Sequence, residues 1–423
     1  MFIYGRCEMM DLIIRNARTR EKDGRVDIAI KGAKIRRIAK RLNGKAKNEI
    51  DAKGRLVTPT FVDPHLHLDK ALISEVVREN VTGTLTEAIE IIWNKKKKYT
   101  IKDIVSRAGK AIEWGIKNGT TIFRTHVDVD SIGKLMPLEG LLEVRKKYAD
   151  ICDIQIVAFP QEGILKNEGT EKLLRQAMEL GADVVGGMPY NEYTYDDSKK
   201  HIDIAFQIAK EFDADIDMHV DETDDPNART LEYLAAKTIK EGWQGRVTAG
   251  HTCALAAYDD LYAAKVIGMI KEAEINMITN PATNLMLQGR LDKQPIRRGI
   301  TRVKELLEAG VNVCYGQDCL KDTFYPTWGR EDMLEVGLIT AHAAQFTMPK
   351  EIEVLFDMPT INAAKVLRLK NYGIKVGNPA SLNIIDVFTV QEAFRTQADR
   401  LYVIRKGNVI ARTKTISELF RKR

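Results

Sequence analysis

The sequence contains little cysteine, and its few cysteines are scattered. They form no Cys-x-x-Cys pair and have no regular spacing, which argues against a disulfide framework and against a cysteine-based zinc site; the five are Cys7, Cys152, Cys253, Cys314 and Cys319. Because structural disulfides belong to oxidising compartments, this pattern favours a reduced, cytoplasmic protein.

Long apolar runs and a strong charge of one sign are also missing. No run approaches the roughly 18 apolar residues of a membrane-spanning helix, and MFIYGRCEMM at 1–10 lacks the apolar stretch of a secretory signal. The 65 Lys and Arg exceed the 59 Asp and Glu by only six over 423 residues, whereas nucleic-acid binding needs a concentrated basic face. We expect neither a membrane nor a nucleic acid as partner, and we interpret the four lysines at 95–98 as a solvated helix face.

The two ends of the chain have the same style of sequence. Apolar residues make up 44% of the chain, enough for a large core. Residues 11–38 and 373–412 both contain short alternating apolar stretches separated by Asp-Gly, Lys-Gly or Gly-Asn turn signals. Neither segment has enough strands for a stable sheet. We therefore predict that 1–55 and 366–423 combine into one small β-sandwich domain.

Between these ends the pattern alternates between strand and helix. The apolar, strand-like runs lie at 56–63, 120–129, 153–160, 182–189, 215–222, 246–251, 275–281 and 311–318. Eight such units predict an α/β fold in which 56–365 form a distorted TIM (β/α)8 barrel. A doubly wound sheet is the alternative, but no glycine-rich phosphate loop follows any of the strands.

Polar residues at the ends of these strands are the candidate site, because barrel enzymes place their active sites there. His65 and His67 follow the first strand. Side chains two residues apart in an extended chain point to the same side, so both imidazoles can bind one metal ion. A surface strand with two histidines is the alternative.

Three later strand ends add further candidates. His219 can supply a third imidazole and Glu222 an acid–base group, although a core histidine beside a surface acidic loop would give the same pattern. His251 and Asp318 end the sixth and eighth strands. Three imidazoles and one carboxylate suit zinc or ferrous iron. His126 either lines the pocket or is structural, and we interpret His201 and His342 as structural or surface residues.

A longer set of motifs connects these residues. The set comprises FVDPHLHLDKAL, FRTHVDV, VAFPQEGIL, GADVVGGMP, DMHVDETDD, TAGHTCA and LQGRLDKQPIRRGITRVKELLEAGVNVCYGQD. From about residue 11 to residue 412 the chain resembles the cytosine deaminase branch of the amidohydrolase superfamily. The resemblance implies a hydrolytic deaminase that acts on a small nucleobase-like ring, and relatives of this fold commonly form homo-oligomers.

The resemblance also implies roles for individual residues. One divalent metal ion, zinc or iron, is bound by His65, His67, His219 and Asp318. His251 approaches the attacking water without being a full ligand, Glu222 is the proton shuttle, and Asp318 takes part in proton transfer. Relatives with two metals carry a carboxylated lysine after the fourth strand, where this chain has GGMPYNEY and no lysine. One metal is therefore expected.

Substrate recognition is expected to involve Gln161, Cys319 and Phe324. The carboxamide of Gln161 offers a donor and an acceptor, which suits a ring carbonyl beside a ring N–H; a strand-end cap is the alternative role. Cytosine deaminases have roughly GHDD where this chain has GQDC at 316–319, and a Trp where it has Phe324 before YP at 325–326. Lys70 also replaces a threonine of the best-known members, and neither its role nor that of Gln317 follows from the sequence.

We expect these sequence differences to change which substrate is bound rather than the reaction that is catalysed. Cys319 is smaller and less polar than an aspartate, so we expect cytosine or a 5-substituted cytosine such as 5-methylcytosine as substrate. Isoguanine, creatinine and N-alkyl aminotriazines remain alternatives because they share the amidine–carbonyl edge. A catalytically silent barrel scaffold is the alternative from another functional class.

Overall fold

The structure is a computed structural model that describes residues 9–22, 24–82, 85–324 and 328–421. Cys7, most of the segment 1–10 and YP at 325–326 lie outside these ranges. The strands of the described chain, β1 to β16 in order, are Met10–Arg18, Arg25–Lys31, Lys34–Ala39, Ala46–Asp51, Leu56–Pro59, Phe61–Leu66, Thr120–Asp128, Asp153–Phe159, Val184–Gly187, Asp215–Val220, Val247–His251, Asn276–Thr279, Val313–Tyr315, Leu382–Ile385, Arg400–Arg405 and Asn408–Arg412.

The α-helices alternate with the central strands. In order, α1 to α13 are Leu85–Lys96, Ile101–Lys117, Met136–Lys147, Thr170–Leu180, Tyr195–Glu211, Thr230–Glu241, Asp260–Glu272, Pro281–Leu287, Val303–Glu308, Met333–Ala343, Pro349–Asp357, Ala363–Val366 and Val390–Thr396. Short 3-10 segments lie at Ile73–Glu75, Pro189–Asn191 and Cys253–Ala257, and a π-helical segment at Met358–Asn362. Within the described residues, no helix combines the length and the apolar character needed to cross a bilayer.

Strands from both chain ends form one sheet. Its order is β16-β15-β14-β5-β1-β2-β3, with β4 paired to β1. Alternate residues of these strands point into a separate apolar core, since side chains of a strand alternate between its faces; the core includes Ile14, Ile28, Val57, Leu382 and Ile384. The expected small β unit built from both ends is therefore present.

The second sheet is the barrel. Its eight strands, β6 to β13, are parallel and follow one another in chain order. A parallel bridge between Leu66 and Asp318 joins the last strand to the first, and the Asp318 N–H donates to the His65 carbonyl over 2.8 Å. The predicted fold class is confirmed. Closure gathers the carboxyl ends of all eight strands at one rim.

The predicted first strand, 56–63, is two strands in different sheets. The Thr60 N–H still donates to Ser381 of the chain-end segment, over 3.2 Å, whereas the Phe61 N–H donates to Gly119 at the start of β7, over 2.8 Å. The chain therefore crosses from one sheet to the other at this peptide. Because β5 pairs with β14 and β1, the first four residues of the range assigned to the barrel belong to the chain-end sheet. The division of the whole chain into 1–55 plus 366–423 and 56–365 stays a prediction.

Candidate active site

A cavity of about 860 Å³ opens at the carboxyl rim of the barrel. The side chains around it come from the ends of β6 to β13 and from the segments that follow these strands, as expected for the site of a (β/α)8 barrel. The predicted residues that line it are His67, Gln161, His219, Glu222, His251, Asp318, Cys319 and Phe324. His65 is completely buried and contacts the same group of side chains.

Three histidines and one aspartate lie close together at the bottom of this cavity. Asp318 Oδ1 lies 3.6 Å from His65 Nε2 and 3.3 Å from His67 Nε2. The Nε2 atoms of His67 and His219 are 3.1 Å apart. The structure thus brings together the four residues that the sequence predicts as ligands.

The chemistry of this group fits a divalent cation. Four buried imidazole nitrogens have no hydrogen-bond partner among the described residues: Nδ1 and Nε2 of His65, Nδ1 of His67 and Nδ1 of His219. Burial lowers the pKa of His65 to about 4 and of His67 to about 3, and that of His219 well below its ordinary value. The imidazoles are therefore neutral, with lone pairs available, which is the form that binds metals.

Asp318 completes this donor set with a negative charge. Burial acts to raise its pKa, but the charge of His251 and the nearby rings of His65 and His67 outweigh burial and lower the pKa well below the ordinary value. A buried carboxylate beside unpaired imidazole nitrogens is costly unless a cation compensates it. The cluster therefore fits a metal ion.

His251 lies in the same cluster but has another neighbour. One set whose ligand atoms all lie within 4.8 Å of one another contains His65, His219, His251 and Asp318. His67 is not in that set, yet its Nε2 contacts both Asp318 and His219. His251 Nδ1, in contrast, is 3.0 Å from Glu222 Oε1. His67 thus contacts two of the expected ligands, whereas His251 is paired with Glu222.

Two residues of the cluster have backbone conformations that amino acids other than glycine rarely adopt. The φ angle is +67° at His251 and +63° at Asp318. Such left-handed conformations at strand ends cost on the order of 1–3 kcal/mol and concentrate at functional sites. They direct both side chains inward at the rim, where a regular strand would continue.

Glu222 lies between His251 and a pair of hydrogen-bond donors. Asn284 Nδ2 donates to Glu222 Oε1 over 3.0 Å, and the Tyr190 hydroxyl donates to Oε2 over 3.3 Å. Sequence reasoning missed Asn284 and Tyr190. Both follow barrel strands, β12 and β9, so the strand-end rule that identified the histidines could have found them.

Gln161 is anchored by Lys70. The Lys70 ammonium donates to Gln161 Oε1 over 2.9 Å and to Asp128 Oδ1 over 2.7 Å. Gln161 Nε2 lies 3.5 Å from the Met188 sulfur. Burial acts to lower the pKa of Lys70, but the charges of Asp128 and Asp69 outweigh it and raise the pKa. Lys70 therefore remains a cation at the wall of the cavity.

The interpretation of 95–98 as a solvated helix face is wrong for Lys96. This side chain is 2% exposed and donates to three carboxylates: Asp128 Oδ2 at 3.0 Å, Asp130 Oδ2 at 2.5 Å and Glu162 Oε1 at 3.1 Å. The carboxylates come from the ends of β7 and β8, so only the fold brings them to α1. Asp128 binds one lysine with each oxygen.

The segment that carries Gln161 is fixed by one buried carboxylate. Glu192 accepts hydrogen bonds from the N–H groups of Ile164, Leu165 and Lys166. His201 Nδ1 contacts Glu192 Oε1 at 2.7 Å. His201 is thus a buried structural residue, in agreement with the structural interpretation, whereas the role of Glu192 has no sequence signal.

A small apolar cluster lies next to Asp318 on one side of the cavity. It contains the buried Cys319 and Ala282, with the half-buried Phe324 packed against them, and Thr283 and Asp322 line the cavity beside it. Burial raises the pKa of the Cys319 thiol well above its ordinary value, so the thiol is neutral. Gln317 Nε2 donates to the Cys319 carbonyl over 3.1 Å, which gives Gln317 a structural role behind this wall.

His126 is buried next to the cluster. Its Nε2 lies 3.3 Å from Asp217 Oδ1, and Arg124 donates to the other oxygen of Asp217 over 2.9 Å. Since the guanidinium already compensates that carboxylate, we interpret His126 as structural. His342 is exposed on α10, in agreement with the surface interpretation.

Comparison with known proteins shows the family to which the chain belongs. The model of the amidohydrolase family matches residues 48–412. The structure of 5-methylcytosine deaminase from Klebsiella pneumoniae, with 5-fluorocytosine bound, is 38% identical and superimposes with a TM-score of 0.92, covering 96% of this chain and 99% of that one.

Two curated relatives extend the comparison. N-isopropylammelide isopropyl amidohydrolase of Pseudomonas sp. strain ADP is 34% identical over 412 residues, covering 96% of this chain and 98% of the relative. Pterin deaminase of Rhizobium rhizogenes is 32% identical over 368 residues, covering 86% and 82%. These proteins differ in the rings on which they act.

Proposed function

The chain belongs to the amidohydrolase family, and from this premise we propose that it is a metal-dependent hydrolytic deaminase of a small cyclic amidine. The observation that carries the proposal is the buried cluster of His65, His67, His219 and Asp318 directly beside Glu222 and His251. We assign the first four residues as ligands of a single zinc or iron ion.

The reaction requires an activated water and a protonated leaving group. A bound divalent ion supplies Lewis acidity, which lets water lose a proton near neutral pH. Asp318 accepts that proton at its carboxylate and passes it to the amine, which then leaves as ammonia. Glu222 donates a proton to the ring nitrogen next to the amine-bearing carbon, so negative charge does not accumulate on the ring.

His251 and Asn284 position Glu222 and the water. Burial acts to lower the pKa of His251, but the charges of Glu222 and Asp318 raise it to about 9. A protonated His251 donates to Glu222 and faces the oxygen that gains negative charge. Asn284 Nδ2 donates to the same oxygen of Glu222 and also lies 3.0 Å from His251 Nδ1.

We propose a 5-substituted cytosine such as 5-methylcytosine as the first candidate substrate. The neutral thiol of Cys319 and the ring of Phe324 support this choice, because both line the cavity and can contact a methyl group. Creatinine, isoguanine and aminotriazines are the alternative substrates to be compared with it.

The deciding experiment is an ammonia-release screen with iron-loaded and zinc-loaded protein. The rings are cytosine, 5-methylcytosine, isoguanine, creatinine and aminotriazines, and amine release is followed in parallel for N-alkylated triazines. Turnover of 5-methylcytosine above the other rings supports the proposal. Stable protein that binds no metal and releases no ammonia would support a silent scaffold. A homo-oligomer and a cytoplasmic location stay predictions.

A further inference from the structure

The ring of His65 lacks the hydrogen bond that usually fixes a metal-binding histidine. Such a histidine binds the metal through one ring nitrogen and donates the other N–H to a carboxylate, a carbonyl or a water molecule. His65 Nε2 lies 3.6 Å from Asp318 Oδ1, on the side of the proposed ligand set. Its Nδ1 is buried and has no hydrogen-bond partner among the described residues. Packing must therefore orient this ring.

Two glycines pack directly against His65. Gly250 lies in β11, and a Cβ atom there would be 3.1 Å from His65 Cε1 and 3.2 Å from His65 Nδ1. Gly316 directly follows β13, and a Cβ atom there would be 2.6 Å from the His65 carbonyl oxygen and 2.7 Å from the His65 Cβ. Carbon atoms in favourable contact are about 3.5–4.0 Å apart. Neither position can take a larger residue unless His65 or its neighbours move.

Backbone conformation does not explain these two glycines. The φ angle of neither lies in the left-handed region, where glycine is favoured. Gly250 is a regular residue of β11 and is paired with His219 of β10. The missing side chain, rather than backbone freedom, is thus the property that both positions require.

A second ring completes the packing around His65. The ring centroids of His65 and His126 are 4.1 Å apart. His126 is itself buried, and its Nε2 lies 3.3 Å from Asp217 Oδ1. The ring of His65 is therefore restrained by Gly250 and His126, and its backbone is restrained by Gly316.

We propose that Gly250 and Gly316 are positioning residues of the metal site and act through His65. The inference rests on the proposed function, because it requires His65 to be a ligand. Gly250 leaves the space in which the imidazole lies, and Gly316 lets the segment that carries Asp318 approach the backbone of His65. Ligand distances in metal sites vary by only about 0.2 Å, so a methyl group that displaces the ring should weaken metal binding.

The test is the variant Gly250→Ala, with metal affinity as the readout. Groups that orient metal ligands typically contribute about 10- to 100-fold to affinity. The zinc dissociation constant, measured by competition with a chromogenic chelator, should therefore rise about 10-fold or more. The visible spectrum of the cobalt-loaded variant should also change, because it depends on ligand geometry. Gly268→Ala is the control: this exposed glycine of α7 has no atom within 4 Å of an added Cβ, so it should keep the parental constant and spectrum.

A double-variant cycle shows whether the methyl group acts through His65. Metal binding is weaker in a His65→Ala background, but adding Gly250→Ala there should cause no further loss, because no imidazole remains to be displaced. The same loss in both backgrounds would overturn the inference. An unchanged dissociation constant in the single variant would overturn it as well.

A second measurement applies if Gly250→Ala does not fold. His65→Ala removes the ring that the methyl group meets, so the metal-free double variant Gly250→Ala/His65→Ala should then fold, as followed by urea unfolding. A double variant that also fails to fold would contradict the proposed contact. The proposed function is tested separately by ammonia release from the parent protein. Zinc binding that depends on Gly250 without any ammonia release would contradict the deaminase proposal alone.

Discussion

Glu222 has the neighbours that a proton shuttle needs. It contacts His251 and accepts from Asn284, but it is not part of the proposed ligand set. Glu222→Gln should therefore lower ammonia release by a factor of about 100 or more, since acid–base groups contribute that much. Metal content by elemental analysis should stay unchanged. Activity near that of the parent protein would remove Glu222 from its assigned role.

Cys319 contributes to the wall of the cavity next to the proposed metal site. Cys319→Asp places a charge against Ala282 and Phe324, so it should lower kcat/KM for 5-methylcytosine relative to cytosine. One methyl group is worth only about 1–3 kcal/mol of discrimination, so we expect a shift of about 10-fold or more. Cys319→Ser is the matched control without charge. An unchanged ratio in Cys319→Asp would contradict the 5-methyl assignment.

At the scale of an element, the segment after β8 depends on Glu192. This carboxylate accepts three backbone N–H groups and contacts His201. Glu192→Gln weakens these bonds, so the free energy of unfolding should fall by about 1–3 kcal/mol. The KM should rise because Gln161 moves with the segment. Glu168→Gln, on the exposed part of the same segment, should change neither quantity.

The pH dependence of this effect has a definite sign. Burial acts to raise the pKa of Glu192, but the hydrogen bond from His201 and those from the backbone lower it overall. A carboxylate with a lowered folded-state pKa stabilises the fold above the unfolded-state pKa and loses that contribution as pH falls. The stability difference between the parent and Glu192→Gln should shrink below about pH 4.3. Urea unfolding across pH measures it, and a growing difference in acid would contradict the assignment.

The elements also show where sequence reasoning succeeds. The eight barrel strands and the cluster of histidines and aspartate at their ends were predictable because apolar runs and strand-end positions are local signals. Lys96 was not, because its three carboxylate partners approach α1 only in the folded chain. The division of 56–63 between two sheets depends on which strand accepts each N–H group, and a continuous apolar run contains no such information.

At the scale of the whole molecule, the chain-end sheet contacts the barrel away from the cavity. Asn383 donates to the Gly119 carbonyl over 2.9 Å, and the buried Arg405 binds Asp153 over 2.9 Å. Gly119 immediately precedes β7, and Asp153 begins β8. The chain-end sheet thus supports the amino ends of strands whose carboxyl ends carry the site, so we assign it a structural role.

A metal ion bound at the proposed site should in turn stabilise the whole barrel. His65, His67, His219 and Asp318 come from the first, fifth and last strands of the barrel, and all four are buried. An ion that binds only the folded state adds about 4 kcal/mol at a free concentration 1,000 times its Kd. Chelation should therefore lower the Tm by several degrees and abolish ammonia release, and zinc or iron should restore both.

Two histidine variants show whether this stabilisation comes from the assigned cluster. His219→Ala removes a ligand, so its Tm should no longer respond to added metal, whatever its absolute value. His342→Ala changes an exposed histidine on α10 and should keep the full response. Scanning calorimetry with and without metal measures both. A metal-dependent rise of Tm that persists in His219→Ala would place the ion elsewhere, because loss of one imidazole from a four-ligand site should weaken binding severely.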